Sequence, residues 1–202
     1  MNKTRRNMRQ IHSFLLTAVT VASLCGCGLI SINESGYRRL SAEDKARVKL
    51  CVTPIDSLTY DNNIYQVDVA LMRDYLSRRD DVIIYDYASF CHSSYCINPR
   101  EAEQLCTRNG YGFCLIISTY DYLERIPKMG VPVLAIDQRP YKTDKTPKYC
   151  DGFYNALTGV TDKVRGYGRF LHFNRGKFVK AYDDISDAFI AADTVRAAAM
   201  TE

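Results

Sequence analysis

Three short runs of branched and aromatic residues constrain this chain more than any other feature: Val82 to Ala88, Phe113 to Ser118 and Val131 to Ile136. Each is shorter than an ordinary helix and almost free of polar residues, the pattern of a strand buried on both faces. Such strands need cover on both sides of their sheet, and helices provide it. Tyr65, Val69, Met72 and Leu76 recur at four-three-four spacing, so 64–78 reads as an amphipathic helix. Asn98-Pro99-Arg100-Glu101 is a helix start, with Asn98 as N-cap, Pro99 at the first helical position and Glu101 placed to close a capping box. That helix carries Ala102, Leu105 and Cys106 on one side and ends near Asn109-Gly110. Ser41 caps a short helix ahead of a strand at Val48 to Val52. Phe170 to Phe173 and Phe178 to Tyr182 flank a hairpin turn at Asn174-Arg175-Gly176, and Ile185, Ala188, Phe189, Ala192 and Val195 share one face of a final helix. Residues 138–168, rich in Tyr, Lys, Gly and Thr, read as a long loop. Alternation followed by a closing hairpin implies an α/β sandwich with a mixed central sheet flanked by helices.

The first residues have a different character. Lys3, Arg5, Arg6 and Arg9 precede a mostly apolar stretch from Ile11 to Leu24, which is too short to span a membrane. Leu24-Cys25-Gly26-Cys27 follows and resembles a bacterial lipobox. The resemblance implies a lipoprotein signal peptide over 1–26, cleavage before Cys27, acylation of that residue, and attachment to a membrane through its lipid. Residues 27–40 then read as a lipidated polar tether and 41–202 as the folded domain. Gly28 follows the acylated position, with no Asp there to suggest retention at the inner membrane, so the expected location is the cell envelope, at the outer membrane facing the periplasm. The net charge of +4 falls to near neutral once the four basic residues of the leader are removed, which argues against nucleic acid as a partner.

Beyond Cys27 the domain keeps Cys51, Cys91, Cys96, Cys106, Cys114 and Cys150, an even number that favours bridges in an oxidising compartment. Cys91 and Cys96, four residues apart in "FCHSSYC", lie between a buried strand and a helix start and are close enough to bridge. Three readings stay open for them: a structural staple, a redox-active pair, or thiols that could take zinc with His92. Cys51 and Cys114 fall in strands expected to be neighbours, Cys106 faces the sheet, and Cys150 lies in the long loop. His172, between Leu171 and Phe173, reads as a core or edge histidine. No G-x-S-x-G, P-loop or H-E-x-x-H is present.

The ordered set "VIIYDYASFC", "PREAEQL", "GFCLIIST", "MGVPVLAID" and "LHFNRGKFVKAY" resembles the thioredoxin-like family over roughly Val48 to Val195. The resemblance implies thiol–disulfide exchange at Cys91 and Cys96, with Pro132 as the family's cis-proline beside them and no cofactor. The chain departs from the family in its C-x₄-C spacing, in Phe90 where a Trp is usual, and in the 138–168 insertion. With the helix starting at Asn98, Cys96 is the nearer cysteine to its positive end, which would reverse the usual assignment of attacking and resolving thiols. A partner would be a protein thiol or disulfide. The other expectation keeps the fold without the chemistry: a disulfide-stapled lipoprotein whose 138–168 loop, with Tyr141, Tyr149, Tyr154 and Tyr167, binds a protein or small ligand.

Overall fold

The computed structural model describes residues 34–91, 96–166 and 168–190. The expected signal peptide, Cys27, His92, Tyr167, Ala192 and Val195 lie outside the described residues. Seven strands make one sheet: β1 (Val48–Leu50), β2 (Ile64–Val67), β3 (Asp81–Tyr87), β4 (Gly112–Ile117), β5 (Val133–Ile136), β6 (Phe170–Asn174) and β7 (Lys177–Tyr182), in the order β1-β2-β5-β4-β3-β6-β7. The first five are parallel, and β6 and β7 continue the sheet antiparallel beside β3. Five helices follow the chain: α1 (Ala42–Arg47), α2 (Val69–Ser77), α3 (Pro99–Arg108), α4 (Thr146–Thr158) and α5 (Asp162–Arg165). Residues 185–190 are also helical. The chain is therefore an α/β sandwich with a mixed central sheet flanked by helices, consistent with a thioredoxin-like α/β fold.

The strand runs are apolar because both sheet faces are covered. Ile83, Tyr85 and Tyr87 of β3 point to one core with Ala102 and Cys106 of α3 and with Ile185 and Ala188. Val82 and Ile84 point to the other, with Met72 and Leu76 of α2 and Tyr149 and Phe153 of α4. Local signals place several helix starts and the hairpin. The Ser41 hydroxyl accepts from Asp44 N (3.0 Å), and the Asn98 side chain accepts from Arg100 N (2.9 Å) with Pro99 behind it. Arg175 and Gly176 both have positive φ, 47° and 76°, which gives the two-residue hairpin a twist that matches its strands.

Three expectations are corrected. Residues 64–67 are strand, not helix, because Ile64 to Val67 pair on both edges, with β1 and β5. The helix begins only after Asp68, whose carboxylate accepts from Leu71 N at 2.8 Å. The 138–168 stretch is mostly helical: α4 has Pro147 in its first turn and a left-handed Gly159 (φ 75°) as its C-cap. Tyr149, Phe153 and Leu157 recur every fourth residue and bury against the sheet, and Tyr154 is buried beside them. Tyr149 and Tyr154 are therefore core, while Tyr141 is half-buried.

The third correction concerns the tether. Residues 34–40 are part of the fold, not a free linker. Ser35 N donates to Asp144 O (2.9 Å), Ser35 O accepts from Tyr120 N (2.7 Å), and the backbone of Glu34 pairs antiparallel with that of Lys145. The Tyr37 and Tyr120 rings meet edge-on at 5.4 Å, and Arg39 pairs with Asp121 at 2.8 Å. Gly36 (φ 80°) makes this turn possible: a Cβ there would lie 2.7 Å from Asp121 Oδ1.

Candidate functional site

Cys91 and Cys96 form a disulfide with their Cα atoms 6.2 Å apart. It sits where β3 leaves the carboxyl edge of the parallel strands and turns into α3. Three contacts fix the surroundings. Cys91 N donates to Ala88 O (2.9 Å), closing the turn after β3. The buried Ser89 hydroxyl donates to Asp121 O. The Tyr85 hydroxyl donates to Ile97 O (3.1 Å), and its ring stacks on Phe170 at 4.4 Å, so the start of α3 is tied to the core. Both cysteines are half-buried, and Phe90 beside them is exposed.

The group that meets the pair is Arg169. Its Nη1 donates to Cys96 Sγ at 3.2 Å, and its backbone carbonyl accepts from Asp86 N at 2.9 Å, so it is anchored on β3. Pro132 does not reach the pair. It precedes β5, which β4 separates from β3, and the register Tyr85↔Leu115↔Val133 puts it level with the middle of β3. Among the described residues no peptide bond is cis. The physical reason is that the strand after Pro132 inserts between β2 and β4 as a parallel member. The antiparallel place beside β3 goes to β6, whose entry carries Arg169.

The other cysteines are not partners for this site. Cys51 and Cys114 are not on adjacent strands, since β2 and β5 lie between β1 and β4. Cys51 donates to Thr53 O (3.2 Å), Cys106 is fully buried under α3, and Cys150 packs from α4 against the core on the opposite face. Of the connectivities that the even count leaves open, the described residues show one bridge, Cys91–Cys96. Joined as a disulfide, Cys91 and Cys96 offer no thiolate to zinc, and no cluster of three metal-binding side chains occurs among the described residues. His172 is the satisfied histidine expected, with Nε2 2.7 Å from Asp81 Oδ1.

Burial pushes the Cys106 and Cys114 thiols up to about 12, in Cys114 against a hydrogen bond with Tyr75 that lowers it. An unfolded thiol ionises near about 8.5. Between that value and the folded one, the unfolded chain has lost protons that the folded chain keeps, so stability falls as pH rises. The slope is about 1.4 kcal/mol per pH unit for each thiol. Tyr75, Tyr120 and Tyr149, also pushed up by burial, act in the same direction at still higher pH. Urea unfolding midpoints measured at pH 8, 9 and 10 should fall steadily. A flat profile would show that these thiols are not buried as described.

A cleft of about 490 Å³ opens beside Cys96, lined by the apolar Leu105, Phe170 and Ile185 and by the carboxylates of Glu101, Asp183 and Asp184. A larger groove of about 730 Å³ runs along the far side of α3 between Arg100, Arg108 and Lys128 and holds no cysteine. Among the described residues, no helix is long and apolar enough to cross a membrane. Fold and site together define an α/β sandwich carrying a half-buried disulfide with a guanidinium on one sulfur. Comparison with known protein families, with curated proteins and with solved structures finds no match to the chain.

Proposed function

We propose that this chain is a lipid-anchored envelope protein, held by Cys27 at the outer membrane facing the periplasm, whose Cys91–Cys96 pair exchanges with the thiols or disulfides of a protein partner. The observation that carries the redox part is the 3.2 Å contact between Arg169 Nη1 and Cys96 Sγ. A cation there, with the amino end of α3 two residues away, favours Cys96 as thiolate and therefore as the sulfur that attacks and leaves. From the oxidised state, a partner thiolate attacks Cys96 Sγ, breaks the Cys91–Cys96 bond and releases Cys91 as thiolate. The partner's second thiolate then attacks its own sulfur in the mixed disulfide and expels Cys96 as thiolate beside Arg169. The partner dithiol loses two electrons and two protons, and the pair gains them, so the exchange needs no cofactor.

The test is a redox titration of the detergent-solubilised full-length protein, with thiols trapped and read by mass spectrometry. The expected midpoint lies in the range of working oxidoreductases, roughly −120 to −270 mV. A midpoint below about −300 mV identifies a staple and ends the exchange reading. In cells, Cys27→Ala should move the protein from the membrane fraction to the soluble one, and retention in the membrane would refute the lipid anchor.

A further inference from the structure

The charge around the cleft says which partners the pair would take, an inference that rests on the exchange reading above. The reacting sulfur of Cys96 forms part of the wall. Three carboxylates, Glu101, Asp183 and Asp184, line the same cleft, and Asp184 accepts from Ser186 N at 2.8 Å. Opposing them are Arg169, held on the sulfur, and the amino end of α3, worth about half a positive charge. Three negative charges thus outweigh roughly one and a half positive. Arg100 lines the other groove, and Lys180 lies over the Tyr182 ring at 5.3 Å. The apolar wall of Leu105, Phe170 and Ile185 suits the methylene stem of a cationic side chain.

We infer that the Cys91–Cys96 centre selects positively charged thiols and disulfides and discriminates against anionic ones, glutathione included. In the reaction with a disulfide, the Cys96 thiolate attacks one sulfur and expels the first thiolate of the substrate. Cys91 then attacks Cys96 Sγ and expels the second. The substrate disulfide is reduced to two thiols while the pair is oxidised.

The experiment uses reduced full-length protein and three small disulfides: cystamine (cationic), hydroxyethyl disulfide (neutral) and oxidised glutathione (anionic). Each second-order rate is divided by that of the same disulfide with an uncharged free thiol, which removes intrinsic reactivity. At low salt, the corrected preference for cystamine over oxidised glutathione should be about tenfold, the lower end of electrostatic effects on association. It should shrink toward parity at 1 M salt, where the screening length is about 3 Å. The double variant Glu101→Gln, Asp183→Asn, checked for folding by circular dichroism, should lose most of the preference. Equal corrected rates, or a preference for glutathione, with the neutral disulfide reacting readily would overturn this inference alone. Failure of all three disulfides to react would overturn the exchange reading beneath it.

Discussion

Phe153→Ala is expected to destabilise the protein by about 3–5 kcal/mol, a large share of the roughly 5–15 kcal/mol that keeps a domain of this size folded. Phe153 is fully buried in the middle of α4, its ring 5.2 Å from that of Tyr154 in an edge-to-face contact. It belongs to the same buried cluster as Met72 and Leu76 from α2 and Ile84 and Ile116 from the sheet. Truncation leaves a cavity between two helices and a sheet, where the strands are held in register on both sides and cannot collapse into it. Urea unfolding followed by far-ultraviolet circular dichroism measures the loss. A cost under about 1 kcal/mol would mean that 146–158 is not packed as described, and the segment would again be a candidate binding surface.

The second large effect separates the two cysteines. Cys91→Ser and Cys96→Ser should each abolish complete two-electron turnover, but they should differ in the first step. In Cys91→Ser, the remaining Cys96 thiol lies beside Arg169, so it should react with a disulfide at neutral pH and accumulate as a mixed disulfide for want of a resolving thiol. In Cys96→Ser the sulfur that Arg169 contacts is gone, so the first step should be slower by about tenfold or more. Adding Arg169→Met to Cys91→Ser should remove most of that advantage. If Cys96→Ser proves the faster variant, the guanidinium has no role in activation and the assignment of attacker and resolver reverses.

Much of the fold is legible in the sequence because its signals are local. The aliphatic run of β3, the Asn98-Pro99 helix start and the Arg175-Gly176 turn each depend on residues adjacent in the chain, and the structure has them where those residues indicate. Residues 64–67 misled because a four-residue strand paired on both edges needs only Ile64 and Val67 buried, while Tyr65 by chance extends the helical spacing of Val69, Met72 and Leu76. In 146–158 the helical signal is present, as Pro147, then Tyr149, Phe153 and Leu157 at every fourth position, then Gly159. The glycine and lysine content of the surrounding stretch outweighed it. The disulfide itself was readable as a close pair. Arg169 was not, since it stands 73 residues from Cys96 and meets it only because β6, rather than β5, flanks β3. The same choice of neighbour strands carries Pro132 away from the site. Which strands lie side by side is a property of the whole chain, and no local pattern encodes it.

The docking of residues 34–40 has a mechanical side. A pull on the chain from its amino-terminal end does not load the sheet directly. It is borne first by the backbone bonds of Ser35 to Asp144 and Tyr120 and by the ion pairs of Arg38 with Asp144 and Arg39 with Asp121. Only when these give way does tension reach α1 and β1. Asp121 sits at the junction, because its carboxylate holds Arg39 while its carbonyl holds the Ser89 hydroxyl, two residues before Cys91. The segment is thus a shear pin in series with the rest of the molecule, and the first part to yield under load is bolted to the loop that carries the disulfide.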